Sequence, residues 1–429
     1  MTQQPDPRPR LLAERFVEGM TANEYERALR VSRVLPAIAE RASEADQTWT
    51  FPTANLSTLR AEGILGLMVP KNCGGLGGGL RDLAAATFAL STACPSTALA
   101  FFFHSSAVSR GTLALEAADA GLFDNPEDEA AVRAFGKKVL GRMGAGQYMA
   151  NFGSETVKSS KGAVTIGTEA KRVEGGWRLN GVKSFGCNTG VADWYLVTAK
   201  LEGAETAEGI VTFLVRSDTK GVRERHQWKA IGMRATATHG IILENAFVPD
   251  EESLVVPGAF LKMMDMSRGS MVGNQLAGIA CYLGAAQAAY DYALSFLMKT
   301  TFRDTGAPLA TSALHQQLIG QMAMDLETAY LWLRRQLALE TSEPPLLPKS
   351  EVVMQWRLCK GEATEACWRV AQGALKACGT SNTGDAGPIA RAIRNLSMGI
   401  VQAFPAERGR LEVAKTLVAG QEQVTFTAG

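Results

Sequence analysis

Residues 151 to 250 constrain this chain more than any other segment, because their hydrophobic period differs from that of both flanks. Trp177-Arg178-Leu179-Asn180-Gly181-Val182-Lys183-Ser184-Phe185 alternates loosely and contains Asn-Gly, a dipeptide that favours tight hairpin turns. A hairpin turning on Asn180-Gly181 is therefore expected. Trp194-Tyr195-Leu196-Val197-Thr198 and Ile210-Val211-Thr212-Phe213-Leu214-Val215 follow, rich in the β-branched and aromatic residues that suit strands. Both flanks read as helices. The expected fold is α+β, with an N-terminal helical domain over 21–147, a central β-barrel-like or β-sandwich domain over 148–255, and a C-terminal four-helix bundle over 256–429. A polar, proline-containing flexible arm over 1–20 is expected to precede them.

Within the first helical block, Ala84 to Ala107 is small and apolar and is broken by Pro95, as expected of helices buried between others. The run Cys73-Gly74-Gly75-Leu76-Gly77-Gly78-Gly79 lacks the Gly-Lys-Ser/Thr ending of a phosphate-binding loop and follows no clear strand, so it reads as a connection between helices. The last block divides into helical segments near 260 to 300, 310 to 341, 350 to 378 and 388 to 420. Pro344, Pro345 and Pro348 mark the loop between the second and third.

Charge narrows the function. The 44 Lys and Arg nearly cancel the 43 Asp and Glu, which gives no electrostatic case for binding nucleic acid or a membrane surface. The first residues contain no apolar targeting core, so a cytoplasmic location is expected. Seven cysteines and four histidines are scattered without metal-ligand spacing, so no metal is expected and chemistry must come from a bound organic cofactor or from lone side chains.

The order of motifs resembles the acyl-CoA dehydrogenase superfamily of flavoproteins, over about residues 50 to 420. Phe51-Pro52, Leu59 to Pro70 and Gly74-Gly75-Leu76-Gly77 are similar to its amino-terminal signature. Leu179 to Phe185 with Asn188 resembles its asparagine-glycine-x-lysine-x-tryptophan segment, and Ile231-Gly232-Met233-Arg234-Ala235-Thr236 with Val248-Pro249 resembles the close of its β domain. Phe302-Arg303-Asp304-Thr305-Gly306 resembles its arginine-x-x-phenylalanine-glycine, and Pro388 to Asn395 its proline-x-x-arginine-x-x-arginine-aspartate run. The resemblance implies FAD as cofactor. By it, Phe185 packs against the flavin ring, beside Gly186 and Cys187, and Phe152 and Ser154 approach from a neighbouring strand. Arg303 pairs with the pyrophosphate, while Gln316 and Gly379 help to hold the cofactor. It also implies a homotetramer with the flavin site shared between subunits. Cys187 stands where the family more often has threonine, and Phe185 where it more often has tryptophan.

The resemblance fails at the base. Family dehydrogenases remove the α-proton of an acyl thioester with a glutamate while hydride passes to flavin N5. One usual position for that glutamate reads Ala403 here, and the alternative on the first bundle helix reads Asn274. Glu407 could take over if the loop is shifted, against the plainer reading of a solvated helix residue. Asp265 and Arg268, with Asn274 and Ala403, are expected to border the substrate. The leading expectation is α,β-dehydrogenation of an acyl thioester, with electrons passing to an electron-transfer flavoprotein. The alternative is a reduced-flavin monooxygenase of the same fold, acting on a small organic substrate and fed by a flavin reductase. A third is a non-catalytic member that keeps only the scaffold.

Overall fold

The computed structural model describes residues 9–155, 164–269, 275–402, 405–419 and 426–428. Six helices come first. The longest, α1 (Ala22–Thr48), begins at a reciprocal cap: Glu24 N donates to Thr21 Oγ1 at 3.3 Å and Thr21 N to the Glu24 carboxylate at 2.7 Å. α2 (Ala54–Ala61) follows Phe51-Pro52. Then α3 (Leu80–Ala93) and α4 (Pro95–Ser106) form the buried pair, divided at Pro95, which cannot continue α3 but suits the first turn of α4. α5 (Val108–Asp119) and α6 (Pro126–Gly144) complete the block. The glycine run is a folded connection, in which Gly75 lies so close to Val69 that a Cβ would sit 2.1 Å from its carbonyl oxygen.

Within the arm expected over 1–20, Leu11, Ala13, Phe16 and Val17 are buried. Phe16 and Val17 are fully buried, Phe16 lies 5.6 Å from the Phe88 ring of α3, and Tyr25 Oη donates to Pro9 O at 2.8 Å. Two large apolar side chains outweigh the polar character of the residues around them.

The centre is an eight-stranded sheet made from β1 (Met149–Phe152), β3 (Glu169–Val173), β4 (Gly176–Lys183), β5 (Trp194–Leu201), β6 (Ile210–Arg216), β7 (Val222–Glu224), β8 (Ile241–Pro249) and β9 (Ser253–Leu254), while β2 (Val164–Ile166) stands outside it. Its order is β7-β8-β4-β3-β5-β6-β9, with β1 parallel to β5. The hairpin does not turn on Asn180-Gly181. The β3–β4 turn is at Glu174-Gly175, where Gly175 has φ +71°, and Asn180-Gly181 lies inside β4 at a break in its register with β8. There Asn180 Oδ1 accepts Asn245 N at 2.8 Å, so the two asparagines stitch a bulge and the strand runs on to Lys183.

The bundle begins after α7 (Ala259–Asp265) and contains α8 (Gln275–Lys299), α9 (Ala313–Thr341) and α10 (Lys349–Cys378). The fourth expected helix is two: α11 (Pro388–Gly399) and α12 (Ala406–Ala419), with Pro405 between them. Buried Lys360 of α10 donates to Gly399 O at 3.2 Å and closes the end of α11, where a cation suits the exposed carbonyls. A short β10 (Phe426–Ala428) pairs with β2. Among the described residues, no helix is long and apolar enough to cross a membrane.

Candidate functional site

Five of the expected cofactor residues come together on one wall. Phe152 is fully buried at the end of β1, its ring edge-on to Tyr195 at 4.9 Å. Ser154, exposed just beyond β1, accepts Ser184 N on its carbonyl oxygen at 3.0 Å, which brings the β1 exit beside the segment that follows β4. Phe185, Gly186 and Cys187 make up that segment. Gly186 has no room for a side chain, since a Cβ would lie 2.2 Å from the Phe152 ring.

A buried ion pair that the sequence reading did not single out holds this arrangement. Lys183 Nζ lies 2.5 Å from Glu155 Oε1, with side chains 0% and 4% exposed. The same carboxylate accepts Thr168 Oγ1 at 2.7 Å, Thr168 N at 3.0 Å and Gly167 N at 2.8 Å. Burial acts to raise the Glu155 pKa, but the Lys183 charge and these hydrogen bonds outweigh it and leave the group below the ordinary glutamate range. The pair therefore clamps Glu155, just past the exit of β1, to the end of β4, two residues before Phe185. A lysine in a stretch where Leu179 is buried and Trp177 packs on Phe213 was the available signal.

Behind the wall runs a second polar layer. His104 of α4 is fully buried and stacks on Tyr148 at 4.5 Å. Its Nδ1 accepts Met149 N at 3.0 Å, so Nε2–H donates to Leu65 O at 2.9 Å. Desolvation drops its pKa to about 4, and the ring is neutral. Tyr148 Oη donates to Asn188 Oδ1 at 3.0 Å, and Asn188 Nδ2 donates to Ala100 O at 2.9 Å. These bonds dock α4 onto the residue after Cys187. Cys187 turns inward, 3.0 Å from Thr238 Oγ1, which is 2.6 Å from Thr236 Oγ1. Burial pushes its thiol up to about 12.

The wall fits a flat cofactor. Phe185 is 46% exposed, an unusual outlay for a phenyl ring on a strand exit whose neighbour Cys187 is buried. Trp228 stands edge-on to it at 5.1 Å, and the backbone at nearby Gly153 is open, with only Thr198 Oγ1 reaching 4.0 Å from where a Cβ would sit. An exposed aromatic face beside open backbone at Gly153 and the exposed Ser154 suits a planar heteroaromatic ring that also needs hydrogen bonds, as a flavin does.

Arg303, Gln316 and Gly379 do not reach this wall within one chain. All three are exposed at the far end of the bundle, around the α8–α9 connection and the end of α10. The wall is joined to the start of α8 through α4, where Phe102 fills the space over Gly278. From Gly278 to the end of α8 is about 30 Å at 1.5 Å per residue.

The expected substrate residues are placed differently. Asp265 pairs with Lys349 at 2.7 Å, and Arg268 pairs with Glu343 at 2.9 Å and donates to Ser342 O at 3.0 Å. Both fasten the α7 exit to the α9–α10 connection. Glu407 lies in the first turn of α12 with its side chain 74% exposed, 3.3 Å from Arg410. Ala403 and Asn274 lie outside the described residues. The Phe102 ring packs over Gly278 and would lie 2.7 Å from a Cβ there.

Comparison with known proteins gives the family and the fold. The chain matches three family descriptions in order: acyl-CoA dehydrogenase, N-terminal domain, over 32–120; middle domain, over 151–246; and C-terminal domain, over 277–404. It is 28% identical over 372 residues to a putative acyl-CoA dehydrogenase, YdbM, of Bacillus subtilis, covering 86% of this chain and 91% of that protein. It is also 28% identical over 279 residues to the amino sugar nitrososynthase DnmZ of Streptomyces peucetius, covering 65% of this chain and 64% of the relative. Among solved structures, KijD3 in complex with FMN and dTDP-3-amino-2,3,6-trideoxy-4-keto-3-methyl-D-glucose superposes with a TM-score of 0.77 at 22% identity, covering 94% of this chain and 95% of that one, which is a likeness of fold.

Proposed function

Because this chain belongs to the acyl-CoA dehydrogenase family, we propose that it is a flavin-dependent oxidoreductase that oxygenates a small organic substrate at the expense of reduced FAD. The observation that carries this reading is the place of Glu407. Both usual positions for the α-proton base hold non-acidic residues, Ala403 and Asn274, and Glu407 faces solvent beside Arg410. Cys187 offers no substitute, since a thiol pushed up to about 12 stays protonated at neutral pH. Loss of a general base lowers rate by about 10²–10⁴-fold, a poor endowment for a dehydrogenase. The relative named an amino sugar nitrososynthase supports the same direction.

A bound reduced flavin supplies the electrons that activate dioxygen. The protein's own residues bind and orient it. Phe185 would pack against the flavin ring, and Ser154 with the open backbone at Gly153 would supply hydrogen bonds to it. The Glu155–Lys183 clamp holds both in register, and the layer of His104, Tyr148 and Asn188 closes the back of the wall without adding a titrating charge. Arg303, Gln316 and Gly379 serve the phosphate end from a neighbouring copy in a homotetramer. Exposed Leu314, Met324 and Leu331 on α9, and Leu411, Leu417 and Val418 on α12, support such packing.

The second reading is α,β-dehydrogenation of an acyl thioester with transfer to an electron-transfer flavoprotein, favoured by the likeness to YdbM. Two assays separate them. Oxygen-dependent product formation that requires a flavin reductase, with no bleaching of the flavin by a panel of acyl-CoAs under anaerobic conditions, is the expected outcome. Anaerobic bleaching by any acyl-CoA overturns it in favour of dehydrogenation. A colourless protein that takes up neither FAD nor FMN would remove both readings and leave a scaffold.

A further inference from the structure

Among the described residues, Arg110, Arg357 and Arg394 are the buried arginines, at 4%, 5% and 9% exposure. Arg357 has Glu412 at 3.1 Å, and Arg394 has Asp385 at 2.9 Å together with Asp46. Arg110 has no carboxylate. Its Nη1 donates to the Met264 sulfur at 3.3 Å, and its guanidinium carbon lies 4.8 Å from the centre of the Phe260 ring. A thioether is a weak acceptor, and a phenyl face offers a quadrupole rather than a charge. Neither replaces the hydration that a guanidinium loses on burial. With nothing to oppose it, burial draws the group down to about 10, which still leaves it fully charged at neutral pH.

The location gives that charge a use. Arg110 projects from α5 onto α7, and α7 ends at Asp265, where the chain leads towards the start of α8. α5 continues directly from α4, which touches the cofactor wall at Asn188 and α8 at Gly278. The unpaired cation thus stands between α5 and α7, one helix removed from the cofactor wall. We propose that Arg110 binds the anionic group, a carboxylate or a phosphate, of a ligand that enters between α5 and α7. Only the identification of that ligand as the substrate rests on the flavin-enzyme reading.

The test is thermal melting of the full-length, flavin-loaded protein with inorganic phosphate or glutarate, each against sodium chloride of equal ionic strength. Wild type is expected to rise by about 3 °C at a hundredfold excess of ligand over Kd, and the anion that works tells phosphate from carboxylate. Arg110→Met is expected to lose this shift while keeping its bound flavin, and to melt above wild type without anion, because an unpaired buried charge has gone. Arg110→Lys keeps the charge without the planar fork and is expected to retain a reduced shift. The proposal is overturned if neither anion stabilises wild type beyond chloride, a result that needs no variant to fold, or if Arg110→Met keeps the shift. A protein that holds no flavin yet shows the Arg110-dependent shift would refute the flavin reading and leave this one standing.

Discussion

Replacing Glu155 by Gln tests the clamp on which the cofactor wall depends. The variant removes the counter-charge of Lys183, whose side chain is 0% exposed and whose Nζ lies 2.5 Å from the carboxylate. Breaking a buried pair from one side costs about 3–5 kcal/mol, because the surviving charge is left desolvated. The unfolding entropy of a 429-residue chain is roughly 0.9 kcal/mol per kelvin at about 2.1 cal/mol/K per residue. The melting midpoint is therefore expected to fall by about 3–6 °C. Lys183→Met should cost less, since the carboxylate keeps its bonds from Thr168 and Gly167. The double variant should cost less than the sum of the two by at least about 1 kcal/mol. The pH dependence follows from the depressed Glu155 pKa. Its contribution is present above the ordinary value of 4.5 and is lost as pH falls through the lower folded value, so Glu155→Gln should flatten acid melting there. Differential scanning calorimetry of the four proteins, with flavin content measured by absorbance, reads all of this. A Glu155→Gln midpoint within about 1 °C of wild type, or additive single effects, would refute the clamp.

Three further outcomes are expected. His104 sits at about 4 against an ordinary 6.5, which is worth about 3 kcal/mol; that stability is present above pH 6.5 and lost as pH falls towards 4, and His104→Gln should remove this part of the melting-versus-pH slope, an unchanged slope being evidence against it. Gly186→Ala places a Cβ 2.2 Å from the Phe152 ring, so it should cost about 1–3 kcal/mol and weaken flavin binding in a fluorescence titration, whereas unchanged affinity would disconnect Gly186 from the site. Glu407→Gln should leave oxygenation within about twofold of wild type, as expected of an exposed helix residue, and a drop of about 10²-fold would identify it as the base.

Much of the fold was legible because it depends on local period. The break of α3 and α4 at Pro95, the loop at Pro344 to Pro348, and strands at Trp194 and Ile210 follow from residues that act within one turn or one strand. Where local signals failed, a distant partner decided. Asn180-Gly181 carries the strongest turn signal in the chain, yet Asn245 binds Asn180 across the sheet and makes a bulge of it. The polar character of the first twenty residues gives no sign that Phe16 will lie against Phe88 and Tyr330.

The candidate site divides in the same way. Motif order placed Phe152, Ser154, Phe185, Gly186 and Cys187 on one wall, because they belong to two short segments whose strands meet in a single sheet. By the resemblance, the usual base positions are Ala403 and Asn274, neither of which is acidic. What only the tertiary structure decided is the use of charge. Glu155 and Lys183 are 28 residues apart and become one buried ion pair. Asp265 and Arg268 pair with the α9–α10 connection, and Arg110 is buried with no carboxylate partner among the described residues. Local propensity reads which element a residue joins. It cannot read which charge that residue meets, because an ion's energy is set by its solvent exposure and its partner, and both are supplied by parts of the chain brought together only on folding.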